Sequence, residues 1–474
     1  MKTIKIIGAG LSGSEAALQL ADSGWKVKLF EMRPKLKTPA HETDKFAEIV
    51  CSNSLKSKLR TTASGLLKEE MKMLGCKLLP IAENCSVPAG IALAVDREKF
   101  SHEVTKIISD HPNIDVIRKE FTEIDDELTI VATGPLTSST LTQNLIDLIG
   151  KNQLYFFDAI APIIDADSID RDIVYRKTRY DKGEADYLNC PFSRDEYYDF
   201  VTVLNNGQKH EAHEFETQIF EDIKFQFYEN CTPIEELVRR GKDTLRFGVM
   251  RPVGLEDPKT DKRPFAAFQL RAENTDKTAY NLVGCQTMLK YGDQKKILRK
   301  IPGLQYAEFL RFGSIHRNTF LNGPKILNPD LSLQAKPNVF IAGQLAGVEG
   351  YVESILGGIL VARNVKQTSC LHSYGKGVSL EKTASIPEFR NENEKIKILK
   401  SDCRSNSMIL PETTVSGQLW RHLITPVKNF QPMNANFGLL PPLIEKIKDK
   451  KLKKQKLADR SLKDLKQFLF FNGN

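Results

Sequence analysis

The residues of this 474-residue chain that could do chemistry are of two kinds: a glycine run able to cradle phosphate, and cysteines able to act as nucleophiles. Gly8-Ala9-Gly10-Leu11-Ser12-Gly13 follows a β-branched run and fits GxGxxG. In that pattern the first glycine permits a tight turn, the second lets backbone approach a pyrophosphate, and the third lets helix and strand pack closely. A helix opening there offers free N–H groups and a positive dipole end to the phosphates. Glu31 stands eighteen residues beyond Gly13, where a carboxylate accepts hydrogen bonds from ribose hydroxyls. The eight cysteines are scattered, with no CxxC and no Cys/His cluster, so no metal site is expected. Cys231 lies at the apparent start of a helix, where the dipole favours thiolate. On residues alone, Cys231 and Cys51 can each be read as a nucleophile or as a small buried hydrophobe.

These residues need elements to position them. Residues 3–9 read as a buried parallel strand, 13–23 as a helix and Trp25–Phe30 as a second strand, together a βαβ unit. An amphipathic helix is expected over 62–75, and another from Asp96, its N-cap, to Ile108. Leu128–Ala132 and Val339–Ala342 are short buried strands. Between 151 and 311 the texture changes to short alternating aromatic and polar runs, with helical stretches such as Asp195–Leu204. The expected organisation is a discontinuous domain, 1–150 with 312–370, carrying an inserted α+β domain with an antiparallel sheet at 151–311. Residues 371–411 read as a polar insertion or loop. Residues 412–474 read as a basic helical segment, interrupted over Asn429–Pro442.

Composition bounds the function. At 41% hydrophobic and 27% charged, the chain is ordinary for a soluble globular protein. The start is no signal peptide and no apolar run is long enough to span a bilayer, so a cytoplasmic protein is expected, with no membrane partner. The net charge is +8, and Leu443–Asn474 alone holds ten Lys/Arg against four Asp/Glu, or +6. That end suits a polyanion or is simply a solvated helix.

Two later segments choose FAD over NAD. Ala132-Thr133-Gly134 after a strand is the ATG signature of flavoproteins, and Ile341-Ala342-Gly343-Gln344 resembles their C-terminal flavin motif. There a helix N-terminus faces the pyrimidine end of the isoalloxazine and stabilises charge at N1 and C2=O on reduction. Gln344 stands where many flavoproteins have Asp, so neutral hydrogen bonding is expected in place of a carboxylate. No second GxGxxG occurs, so NAD(P)H is expected to bind transiently at the flavin face.

Longer stretches then carry a resemblance over nearly the whole chain. IGAGLSGSEAALQLADSGWKVKLFEMRP, TPAHETDKFAEIVCSNSLKS, SVPAGIALAVDREKFS, RYDKGEADYLNCP, PIEELVRRGKDTLRFG, IAGQLAGVEGYVES and NFQPMNANFGLLPP resemble, in order, the folate- and FAD-dependent tRNA (uracil-5-)-methyltransferase family. The resemblance implies a Rossmann-like α/β fold of the glutathione-reductase type with an inserted α+β domain. It implies transfer of the methylene of 5,10-methylenetetrahydrofolate to C5 of the T-loop uridine of tRNA. Reduced FAD would supply the hydride and NAD(P)H would regenerate it. It makes Cys231 the nucleophile toward uracil C6, and Cys51 a second functional cysteine that handles the C5 proton or protects the site. Tyr351, directly after Gly350, matches a tyrosine that packs on the isoalloxazine. Tyr291 replaces the usual tryptophan, which leaves a smaller face for stacking. Phosphate contacts would come from Arg239, Arg240, Lys242 and the C-terminal lysines. The motifs do not separate tRNA from ribosomal RNA. A simple flavin oxidoreductase and a non-catalytic RNA-binding module are the other classes; the first leaves Cys231 and the basic surface without a purpose, and intact Cys51 and Cys231 argue against the second.

Overall fold

The computed structural model describes residues 2–38, 40–150, 153–181, 186–210, 232–374, 409–428 and 430–472. The N-terminal β-branched run forms strand Thr3–Ile7, the centre of a five-stranded sheet. Its order is Val339–Ile341, Thr129–Val131, Thr3–Ile7, Lys26–Glu31, Ile114–Arg118, and every pairing is parallel. The short edge strand VFI and its neighbour TIV are buried throughout, as a parallel sheet covered on both faces requires. Helix Leu11–Ala21 follows the glycine turn and is buried along its whole length. It lies against Tyr351–Tyr374, and Gly358 makes the approach possible: a Cβ there would sit 2.3 Å from Ser12 O.

The expected helices form close to their sequence bounds. Ala63–Met73 is capped by Thr62, and Arg97–Ser109 by Asp96, whose side chain accepts from Lys99 N. The buried Glu70 of the first accepts from Val415 N at 2.9 Å, from Ser416 N at 2.7 Å and from Ser461 Oγ. It thereby ties helices Val415–Ile424 and Lys450–Phe471 to the main core, which draws on residues 4–145 and 320–465.

A second core, residues 164–307, fills the inserted region. Its sheet is antiparallel, in the order Tyr175–Arg176, Leu188–Phe192, Ala266–Ala272, Ala279–Leu282, Ile163–Asp165, Phe309–Arg311. Helix Arg194–Asn206 packs on it behind a capping box of Ser193 and Glu196. A two-stranded ribbon, Gln153–Ala159 with Ile315–Leu321, carries the chain between the two regions. Of the segment 371–411, residues 375–408 lie outside the described residues.

Candidate functional site

The glycine run builds its turn as the spacing requires. Gly8 has φ +93°, and a Cβ there would lie 2.8 Å from Ala132 O. A Cβ on Gly13 would lie 1.8 Å from Gly8 O, so helix and strand meet without room for any side chain. A Cβ on Gly10 would meet no protein atom within 4 Å, because Gly10 faces an open cleft. The helix that starts at Leu11 has no side-chain cap, which leaves its first N–H groups without intrahelical partners. Ser12 Oγ is buried beside them and also lacks a hydrogen-bond partner. Bare amides, an orphaned hydroxyl and open space at Gly10 fit a pyrophosphate.

The cleft encloses about 680 Å³ at the C-terminal ends of the parallel strands. Gly8, Gly10, Leu11, Ser12, Glu31, Gly134, Gln344, Gly350, Tyr351 and Cys51 all line it. Ala9, Gly13 and Gly343 stand behind this wall. Ala9 donates its N–H to Glu31 Oε2 at 3.1 Å, and a Cβ on Gly343 would lie 2.8 Å from Ser12 Cβ. Gly343 and Gly350 hold φ of +71° and +116°, conformations that favour glycine.

Several of these residues do more than expected. The Glu31 carboxylate is organised by Arg33, whose Nε donates at 2.9 Å and whose amide donates at 3.1 Å. Burial works to raise the Glu31 carboxyl, but the Arg33 bonds and charge outweigh it and hold it below its ordinary value. Gln344 is not in a purely neutral setting: its Nε2 donates at 2.6 Å to the Glu349 carboxylate, which also lines the cleft. A carboxylate thus stands beside Gln344 in the lining of the cleft. Tyr351 and Cys51, three hundred residues apart, are joined directly, the Cys51 amide donating to Tyr351 Oη at 2.7 Å.

Sequence reasoning missed the groups that hold the Cys51 segment. Arg271 donates from Nε to Asn53 Oδ1 at 2.7 Å and from a terminal nitrogen to Ser52 Oγ at 2.9 Å. Arg97 donates to Ile49 O at 2.6 Å and to Cys51 O at 2.8 Å, and pairs with Glu273. Lys56 follows in a left-handed backbone conformation, φ +63°, at an irregularity of its strand. Its ammonium lies 3.0 Å from the fully buried Glu353 and lines the cleft. Asn434 and Ala435 reach the cleft from the C-terminal segment, in the NFQPMNANFGLLPP motif that had been given no role. The usable signal for Lys56 was its place two residues beyond the CSNS motif; Arg271 had none.

Cys231 lies outside the described residues. The helix after it runs Ile234–Arg240 behind Pro233, so it begins three residues beyond the cysteine. Ile234 N donates at 2.8 Å to the carbonyl of Gln286, and Gln286 lines the cleft. Glu235 accepts from Thr287 Oγ1 and, at 3.2 Å, from Met288 N; burial pushes its carboxyl up to about 7. Tyr291 is exposed and stacks on Phe312, ring centroids 5.3 Å apart. Arg239 is held by Glu236 at 2.6 Å.

A parallel sheet with a glycine turn, a buried carboxylate at the end of its second strand and a cleft at its strand ends defines a dinucleotide-binding α/β protein with an inserted antiparallel domain. The family model described as Glucose inhibited division protein A matches residues 3–370. Methylenetetrahydrofolate--tRNA-(uracil-5-)-methyltransferase TrmFO of Anoxybacillus flavithermus is 48% identical over 468 residues, covering 98% of this chain and 99% of that protein. Its namesake in Bacillus subtilis is 47% identical over 465 residues, 98% of each. The chain therefore belongs to the TrmFO family. Among solved structures, Aquifex aeolicus GidA in its form II crystal superposes with a TM-score of 0.62 at 14% identity, over 98% of this chain and 73% of that one. That likeness speaks for the fold.

Proposed function

We infer that this protein transfers the one-carbon unit of 5,10-methylenetetrahydrofolate to C5 of the T-loop uridine of tRNA, with FAD bound and NAD(P)H as reductant. One observation carries the reading: a single cleft gathers the phosphate turn, Glu31, the Gln344–Glu349 pair, Tyr351 and Cys51. Gly8–Gly13 and Ser12 would hold the pyrophosphate, Glu31 the ribose, and Gln344 with Gly350 and Tyr351 the redox ring. Bound FAD supplies the two-electron reduction that turns a methylene into a methyl group.

The remaining chemistry belongs to the chain. Uracil C5 is a poor nucleophile until a thiolate adds to C6, breaks the C5–C6 π bond and leaves an enolate. We assign that thiolate to Cys231. Ile234, three residues later in the sequence, donates its amide to the carbonyl of Gln286, which lines the cleft. Cys51, oriented by Arg97 and Tyr351, is assigned the C5 proton; its removal lets the C6–sulfur bond break and restores Cys231. The uridine must leave its stack to enter. Among the described residues no helix is long and apolar enough to cross a membrane, and we place the reaction in the cytoplasm. The division into 1–150 with 312–370 and an inserted 151–311 is proposed as the functional one.

The test uses purified protein, unmodified tRNA and ribosomal RNA, labelled methylenetetrahydrofolate and NADH. Labelled 5-methyluridine in tRNA is expected. Label in ribosomal RNA alone would point to a paralogue, and label in neither, from protein holding FAD, to an oxidoreductase. Cys231→Ala should retain FAD and lose transfer; normal transfer would remove the assignment.

A further inference from the structure

The C-terminal helix carries its charge where the helix itself is harmed by it. Lys450–Phe471 opens with Lys450, Lys451, Lys453, Lys454 and Lys456, and no acidic residue lies in its first turn. Lysines near a helix N-terminus oppose the macrodipole. Pairs three and four apart, such as 450 with 453 and 454, repel one another. The N-cap Asp449, which accepts from Lys451 N at 2.7 Å and Leu452 N at 3.2 Å, offsets only part of this. Lys456 pairs with Glu445 at 2.8 Å, but among the described residues no carboxylate lies within ion-pair reach of the other four. Packing does not explain it either. Leu457, Ala458, Ser461 and Leu465 are the buried positions, so the first two turns stand clear of the core.

This arm leads to the cleft. Asp459, nine residues into the helix, faces Arg60 at 3.7 Å. Arg60 and Lys58 are exposed on the loop that leaves the cleft at Lys56. From Asp459 back to Lys450 the helix rises about 13 Å. Basic side chains thus stand at the lip of the cleft, on Lys58 and Arg60, and again at the outer end of the arm, on Lys450–Lys454.

We propose that Lys58, Arg60 and Lys450–Lys454 form the docking surface for the tRNA backbone beyond the reacting loop. It rests on the reading above, since a substrate that threads one base into the cleft must lay its phosphates over the adjoining surface. Such a set of cations is sequence-independent and positions the substrate. An anionic membrane fits less well. The helix's apolar stripe from Leu457 to Leu465 is already buried, Leu452 is the one exposed apolar residue among the lysines, and exposed Phe470 and Phe471 lie at the far end.

The experiment compares wild-type protein with a variant carrying Lys→Gln at 450, 451, 453 and 454. It measures binding to full-length tRNA and to an isolated T-arm hairpin across a salt series, with FAD content and thermal midpoint reporting the fold. The variant should bind full-length tRNA about tenfold or more weakly at low salt, with a log–log salt slope shallower by about 2–4. The hairpin should lose less. Unchanged tRNA affinity and slope in a folded, FAD-holding variant overturn the proposal while leaving the methyl-transfer reading intact. Wild-type protein that neither binds nor methylates tRNA overturns both. Loss of binding to phosphatidylserine vesicles without loss of tRNA binding reassigns the arm to membranes.

Discussion

The glycine-lined wall of the cleft and the wall built from the antiparallel region hold their groups by different means. On the first, the turn Gly8–Gly13 does its work with backbone: bare amides, positive φ, and an approach in which helix and strand leave no space for a methyl group. On the second, the work is done by side chains that reach across. Arg271 grips Asn53 and Ser52, and Glu273 grips the Arg97 that holds Cys51. A wall made of backbone tolerates almost no substitution but is indifferent to distant changes. A wall made of side chains should fail gradually, one hydrogen bond at a time.

Gly13→Ala tests the first half of that contrast and should have the largest effect. Its Cβ would fall 1.8 Å from a backbone oxygen that cannot rotate away. Overpacking usually costs about 1–3 kcal/mol, and here strand and helix must separate, so the cost should exceed that range. The expected result is protein without FAD and with a sharply lowered Tm. A yellow, stable variant would show that the turn is softer than its geometry implies.

Glu235 offers the strongest test of the other wall through pH. Its carboxyl is raised from 4.5 to about 7 by burial, so the folded state binds its proton more tightly than the unfolded one. The stability this contributes is full below about pH 4.5 and is lost as pH rises through about 7. Integrated over that window, it amounts to about 3 kcal/mol at most. Glu235→Gln, which keeps a partner for both Thr287 and Met288, should flatten that part of the stability–pH curve. Urea unfolding at pH 5 and pH 8 measures it; parallel curves for the two proteins would place the titration elsewhere.

Arg271→Ala should cost less, about 1–3 kcal/mol, by leaving Asn53 Oδ1 buried without that donor. FAD should stay bound, since the glycine wall is untouched, while methyl transfer falls. If FAD and transfer are lost together, the two walls are not separable.

What could be read from the sequence follows the same division. GxGxxG, its flanking strands and the capped helices were legible because each depends on neighbours a few residues apart. Arg271 and Arg97 were not, because neither has any neighbour in sequence that predicts a partner 218 or 46 residues away. The Gln344–Glu349 hydrogen bond was not legible either, since the motif ends before Glu349. The Cys51–Tyr351 bond joined two residues that had been singled out separately, which pattern alone could not do.

Asp96 belongs to both categories and gives the smallest, cleanest measurement. Its Oδ1 accepts from Lys99 N at 3.1 Å, the cap that was legible. Its Oδ2 accepts from Thr275 N and Oγ1, both at 3.2 Å, a link to the antiparallel region that was not. Asp96→Ala should lose both, about 1 kcal/mol for the cap and about 1 more for the link. Asp96→Ser restores an N-cap oxygen but cannot also reach Thr275, so it should recover only the first part. Denaturant unfolding of the two variants separates the terms. Full recovery by serine would mean that the link to Thr275 contributes nothing, and that this contact between the two regions is geometry without energy.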